Sequence, residues 1–187
     1  MNHREVGVHT KSFASALRGA LREDQEIIMV GEMRDLETIE LAITAAATGH
    51  LVFGTLHTQS AAKTVDRIID VFPADQQNKI RQTLSEALNG IVAQTLFKRC
   101  DKKCRVAAFE VLVFNTAVAN LVREGKTHQI QGMIQVGKKF GNQQLDDHIM
   151  EHVRMKRITP EDAYDKALDK KKFRPLLAHP PEDDDVM

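Results

Sequence analysis

Two short apolar runs end in residues that can do chemistry. Ile27–Gly31 (IIMVG) leads into Glu32, and Leu51–Leu56 (LVFGTL) leads into His57. A carboxylate that closes a buried strand can act on Mg2+, directly or through water, or orient an attacking water. A histidine at a strand end can be delivered to a ligand, or can simply finish the strand. In open parallel sheets, ligands bind beyond the carboxyl ends of the strands. A second histidine, His50, opens the same run that His57 closes. In a regular strand the two would stand about 20 Å apart, at ~3.3 Å per residue. Within one subunit they cannot both touch one small ligand.

These residues need elements to hold them. Ser12 suits an N-cap for a helix whose apolar positions are Phe13, Ala16, Leu17, Ala20 and Leu21. Arg18 and Arg22, four residues apart, share another face of it. Asp35 suits the cap of a second helix, ended by Gly49. Ser60 precedes a third. From Ala74 to about Phe97 the spacing predicts one long helix, and Val106 to Phe114 reads as a strand. Alternating strands and helices predict an α/β fold with a mostly parallel sheet. After residue 115 the pattern becomes helical only, over 116–123, 128–136, 144–155 and 160–168. Thr159-Pro160 makes a good helix start. The expected organisation is an α/β part over 1–115, a helical subdomain over 116–172, and a disordered acidic tail over 173–187.

Composition narrows the function. Lys plus Arg and Asp plus Glu are both 26, so the formal charge is zero, which argues against a sequence-independent nucleic-acid binder. No apolar run approaches the roughly 20 residues of a membrane span, so no membrane insertion is expected. The N-terminus lacks a signal-peptide core, and the two cysteines, Cys100 and Cys104, suit reduced thiols. The cytoplasm is the expected compartment.

The string from Ile27 to Pro73, IIMVGEMRDLETIELAITAAATGHLVFGTLHTQSAAKTVDRIIDVFP, resembles the core of the secretion-type hexameric ATPases. GEMRDLET is similar to their Walker B segment and TGHLVFGTLHT to their His box. REVG at Arg4–Gly7, SFASALRGALRED at Ser12–Asp24 and AVANLVREGK at Ala117–Lys126 resemble the PilT-type branch, the retraction motors of type IV pili that drive twitching motility. The resemblance runs from about Arg4 to Ile158. It implies a RecA-like ATPase core, with ATP and Mg2+ as cofactors in the complete motor. It places Glu32 at the catalytic Walker B position, with no direct metal ligand assigned and Mg2+ reached by way of Glu32. It assigns His50 and His57 to nucleotide sensing, and makes Arg18, Arg22 and Arg34 candidates for phosphate or inter-subunit contacts. The implied partners are further copies in a hexameric ring and the platform proteins of the pilus base, at the cytoplasmic side of the inner membrane.

Departures from the family pattern matter as much. GxxxxGK[ST], the Walker A loop, is absent from the chain; neither Gly125-Lys126 nor Gly137-Lys138 completes it. His9 stands where the family has Asp in VGxDT, and Ala119 where it has Arg in AIRNLIREGK. An incomplete sheet would also expose apolar surface. The expectation is thus a part of a retraction motor, an ATPase by resemblance but inactive as the isolated chain. The alternatives are a degenerate, non-catalytic paralogue that docks on the pilus motor, and a part of a type II secretion or pilus assembly ATPase. Two metal patterns carry less weight. His148-Ile149-Met150-Glu151-His152 matches HxxEH but reads better as a solvated helix face. Cys100 and Cys104 have no second pair to complete a zinc site.

Overall fold

A computed structural model describes residues 3–23 and 25–180. The described residues fall into two compact units, one within residues 1–58, 62–89 and 114–130, the other within 59–61, 90–113 and 131–187. This division differs from the boundary expected near residue 115.

In the first unit, β1 (Ile27–Val30) and β2 (Leu51–Gly54) pair in parallel, with Ile27 opposite Leu51 and Val30 opposite Gly54. Helices α1 (Phe13–Ala20) and α2 (Leu36–Ala47) cover one face. Both caps fall where the sequence places them: Ser12 accepts from the Ser15 amide at 3.1 Å, and Asp35 from the Thr38 amide at 2.8 Å. Gly49, at φ +104°, takes the left-handed conformation that ends α2. Leu17, Ile28, Val30, Ala42 and Ala45 form the core between helices and sheet. Three further helices complete the unit: α3 (Ala61–Asp70), which enters it at residue 62, α4 (Ala74–Ala87) and α5 (Thr116–Arg123). Helix α5 lies against α4, which is why it belongs here rather than with a helical appendage.

Alternation along β1 and β2 leaves a second apolar face. Ile27, Met29, Leu51 and Phe53 are 59%, 71%, 42% and 54% exposed. Exposed apolar area of this kind drives association. Sedimentation velocity is therefore expected to show concentration-dependent self-association of the chain, reduced by Met29→Lys with Phe53→Lys. A monodisperse monomer at all concentrations would contradict this.

The second unit contains an antiparallel hairpin, β3 (Gly90–Lys98) and β4 (Arg105–Val113), with Gly90 opposite Val113 and Lys98 opposite Arg105. One expectation is corrected here. The helix read from Ala74 to Phe97 stops at Ala87, and residues 90–98 are a strand. Asn89-Gly90 breaks the helix, and Ile91, Ala93 and Phe97 then fall on the inward side with period two. Among the described residues, the strands of this α/β fold form one parallel pair and one antiparallel hairpin, residues 99–104 being too few for a parallel crossover.

Helices α6 (Ile130–Val136), α7 (Leu145–Arg154) and α8 (Pro160–Lys166) follow, with Thr159 capping α8 as its sequence suggests. Phe97, Ala108, Leu145, Ile149, Ile158, Ala163 and Phe173 make the core of this unit. The start of the expected tail is also corrected. Phe173 is fully buried, between short 3-10 turns at Lys170–Lys172 and Arg174–Leu176. Buried Asp146 secures the approach by accepting from the Leu168 and Asp169 amides at 2.9 and 2.8 Å. Residues 181–187, the remainder of that tail, lie outside the described residues.

Candidate functional site

Parallel pairing brings the carboxyl ends of β1 and β2 to one edge, so the residues that leave them become neighbours. The Met33 amide donates to the Thr55 carbonyl at 3.1 Å, and the Thr55 hydroxyl donates to the Gly31 carbonyl, tying the two exits together. Glu32 and His57 then meet: His57 Nε2–H donates to Glu32 Oε1 at 2.8 Å. Arg34 forms an ion pair with the same oxygen. The carboxylate is pulled below its ordinary pKa, first by the hydrogen bond from Arg34 and then by His57, against partial desolvation. Glu32 is therefore ionised at neutral pH, and its side chain is 22% exposed while that of His57 is 82% exposed. One anionic acceptor thus sits between two donors that could also face an anion.

The remaining candidates lie elsewhere. His50 stands at the start of β2 and closes the end of α2, with Nδ1 at 3.1 Å from the Ala45 carbonyl and 3.3 Å from the Thr48 hydroxyl. Arg18 pairs with Glu37. Helix α1 ends at Ala20, so Arg22 lies in the following turn, exposed, and does not continue the Arg18 face. His9 Nδ1 accepts from the Glu5 amide at 3.2 Å, a local turn contact that an Asp could also make.

The donor set suits one side of a Mg2+–phosphate group: a carboxylate for the cation or its waters, an imidazole and a guanidinium for phosphate oxygens. The cradle on the other side is a different matter. Gly132 and Gly137-Lys138 have the GxxxxGK spacing, but Lys139 stands where Ser or Thr belongs. The intervening residues are α6, whose amides are engaged in a helix rather than open to an anion. Gly125-Lys126-Thr127 has Asn120, within α5, in place of the first glycine.

Sequence reading missed Glu110, which is fully buried on β4. Its Oε1 accepts from the Ala61 amide at 2.7 Å, and burial pushes its carboxyl up, with the charge of Asp146 adding to that. A signal was present: Glu110 falls in the inward set of an alternating strand, between Ala108 and Leu112.

The HxxEH helix face is also corrected, because His152 is buried rather than solvated. Its Nε2 donates to the Ala107 carbonyl at 3.0 Å, and its ring stacks on His148 at 4.8 Å. His148 Nδ1 accepts from the Phe109 amide at 3.1 Å. Among the described residues, no group of three His, Cys, Asp or Glu could hold a metal ion. Burial, followed by the charge of His152, lowers the His148 pKa, with Arg157 acting in the same sense and Glu151 opposing. Below about pH 6.5 the unfolded chain then binds more protons at this position than the folded one. The stability that neutral His148 contributes is complete above that pH and is lost as pH falls toward its lower folded value. Thermal midpoints at about pH 7.5 and pH 5.5 should differ less for His148→Gln than for the unsubstituted chain.

Comparison with known proteins gives the family. The family model of the type II/IV secretion system proteins matches residues 5–173. The chain is 54% identical over 167 residues to a twitching motility protein of Neisseria gonorrhoeae, covering 89% of this chain and 45% of that protein. It is 53% identical over 167 residues to the type IV pilus retraction ATPase PilT of Pseudomonas aeruginosa, covering 89% and 48%. Among solved structures, the pilus retraction motor PilT with bound ADP superposes with a TM-score of 0.83 at 48% identity, covering 91% of this chain and 48% of that one. The chain thus spans about half the length of the relatives it matches. Its α/β fold is that of these ATPases. With most of its length matched by the family model, the chain belongs to the type II/IV secretion system protein family.

Proposed function

We propose that this chain is part of a PilT-type motor that couples ATP hydrolysis to type IV pilus retraction. The observation that carries the proposal is the Glu32–His57 hydrogen bond at the carboxyl edge of the parallel pair. It joins the two motifs, Walker B and His box, on which the resemblance rests. When bound, Mg-ATP would supply a phosphoanhydride bond whose cleavage, by transfer of the terminal phosphoryl group to water with ADP as leaving group, drives motion. Glu32 orients that water or holds the cation's waters. His57 and Arg34 exchange their bond to Glu32 for the charge of the phosphates, so occupancy of the site changes how the β1 and β2 exits are tied. Arg18 and Arg22 are candidates for contacts across a subunit boundary, and His50 for sensing from the far end of β2. The expected assembly is a hexameric ring on the cytoplasmic side of the inner membrane, at the pilus base and its platform proteins. No helix among the described residues is long and apolar enough to cross a membrane.

Fusion tests this reading. The chain is joined behind the P-loop half of the Pseudomonas relative and expressed in a strain lacking its own retraction motor. Twitching should return with the unsubstituted fusion and not with Glu32→Gln. Equal twitching from both would refute the role of Glu32.

A further inference from the structure

The tip of the β3–β4 hairpin and the turn after α7 are bound together. The Cys100 amide donates to the Arg157 carbonyl at 2.9 Å, and the Cys100 thiol to the Lys156 carbonyl at 3.2 Å. Two basic segments are thereby merged. Between Lys98 and Arg105 every charged residue except Asp101 is a cation: Lys98, Arg99, Lys102, Lys103 and Arg105. Asp101 is already neutralised by Arg99. The second segment adds Arg154, Lys156 and Arg157 with no acid among them. Apart from Arg99, none of these cations forms an ion pair among the described residues. In a chain whose formal charge is zero, this is a pronounced local excess.

Shape and composition point to what it meets. The patch consists of a hairpin turn and a helix end, with Lys102, Lys103, Arg154 and Lys156 all exposed, so it offers projecting side chains rather than a groove for a peptide. Neither segment contains an aromatic residue on which a base could stack. Met155, 49% exposed, stands between Arg154 and Lys156 and supplies an apolar group among the charges. Clustered lysines and arginines around an apolar side chain suit the interface of a bilayer with anionic head groups. From this we infer that the residue 98–105 hairpin tip and the residue 154–157 turn form a docking surface for an anionic phospholipid membrane. The surface uses none of the residues assigned to the nucleotide, so the inference stands or falls independently of the motor reading.

Vesicle co-sedimentation of the 187-residue chain tests it. Vesicles of phosphatidylcholine alone are compared with vesicles containing roughly one-third phosphatidylglycerol, at about 0.1 M salt. The neutral vesicles read any insertion through the open face of β1 and β2. Binding to anionic vesicles should exceed binding to neutral ones by about tenfold or more and weaken as salt rises. Lys102→Glu, Lys103→Glu and Lys156→Glu together should abolish that excess, with an unchanged thermal midpoint. Equal binding to both vesicles would overturn the proposal, as would unchanged binding by the folded triple variant. Tighter binding to duplex DNA or poly-glutamate than to anionic vesicles would reassign the surface and also overturn it.

Discussion

Mg-ATP hydrolysis by the 187-residue chain is expected to stay at the level of a buffer blank, and Glu32→Gln to leave it there. Phosphates are held by the open amides of a glycine-rich loop and by its lysine. Here the nearest match to that loop, residues 132–138, lies largely within α6. What remains is a carboxylate whose charge is already satisfied by Arg34 and His57. Any phosphate must displace those contacts without a cradle to reward it. Co-assembly with a P-loop-bearing half of a relative should restore turnover. In that assembly Glu32→Gln should lower kcat about 10²- to 10³-fold, the scale of losing one preorganised transition-state contact. Steady-state phosphate release by the two preparations is the measurement. Turnover by the isolated chain, abolished by Glu32→Gln, would mean that other residues grip the phosphates.

Phe173→Ala should cost the second unit roughly 3–5 kcal/mol, the usual penalty for emptying a buried phenylalanine site. The ring is fully enclosed among Phe97, Ile149, Ile158 and neighbouring side chains. Few nearby groups can collapse into the void, since Asp146 fixes the incoming chain through two amides. Urea unfolding followed by circular dichroism gives the number. Phe173→Leu, which keeps most of the volume, should cost far less. A loss below about 1 kcal/mol for Phe173→Ala would show that the segment behaves as a detached tail.

Much of the first unit was legible because its signals are local. Ser12 and Asp35 bond amides three residues ahead, and short chemistry of that kind is written in adjacent letters. The apolar runs ending in Glu32 and His57 announce strands with a polar edge. Their contact was not legible. Only parallel pairing, and the ties between residues 31, 33 and 55, turn two strand ends into one site.

Local patterns also misled where two periods overlap. Ile80, Leu84, Leu88 and Ile91 keep helical spacing straight through Gly90, whereas Ile91, Ala93 and Phe97 keep strand spacing. The antiparallel partner Arg105–Val113 decides between them, by offering ladder hydrogen bonds to residues 90–98 alone.

By itself, then, the sequence determined the α/β class, the helix caps, the acidic and imidazole residues at two strand ends, and through a long ordered match the family. Tertiary structure alone decided that Glu32, Arg34 and His57 share one oxygen while His50 serves a helix end. It alone decided that Glu110, His152 and Phe173 are interior, and that two basic loops form one surface. Apart from the local contacts of His50 with Ala45 and Thr48 and of Arg34 with Glu32, these depend on residues far apart in the chain, and neither residue type nor periodicity encodes which distant partner a side chain will meet.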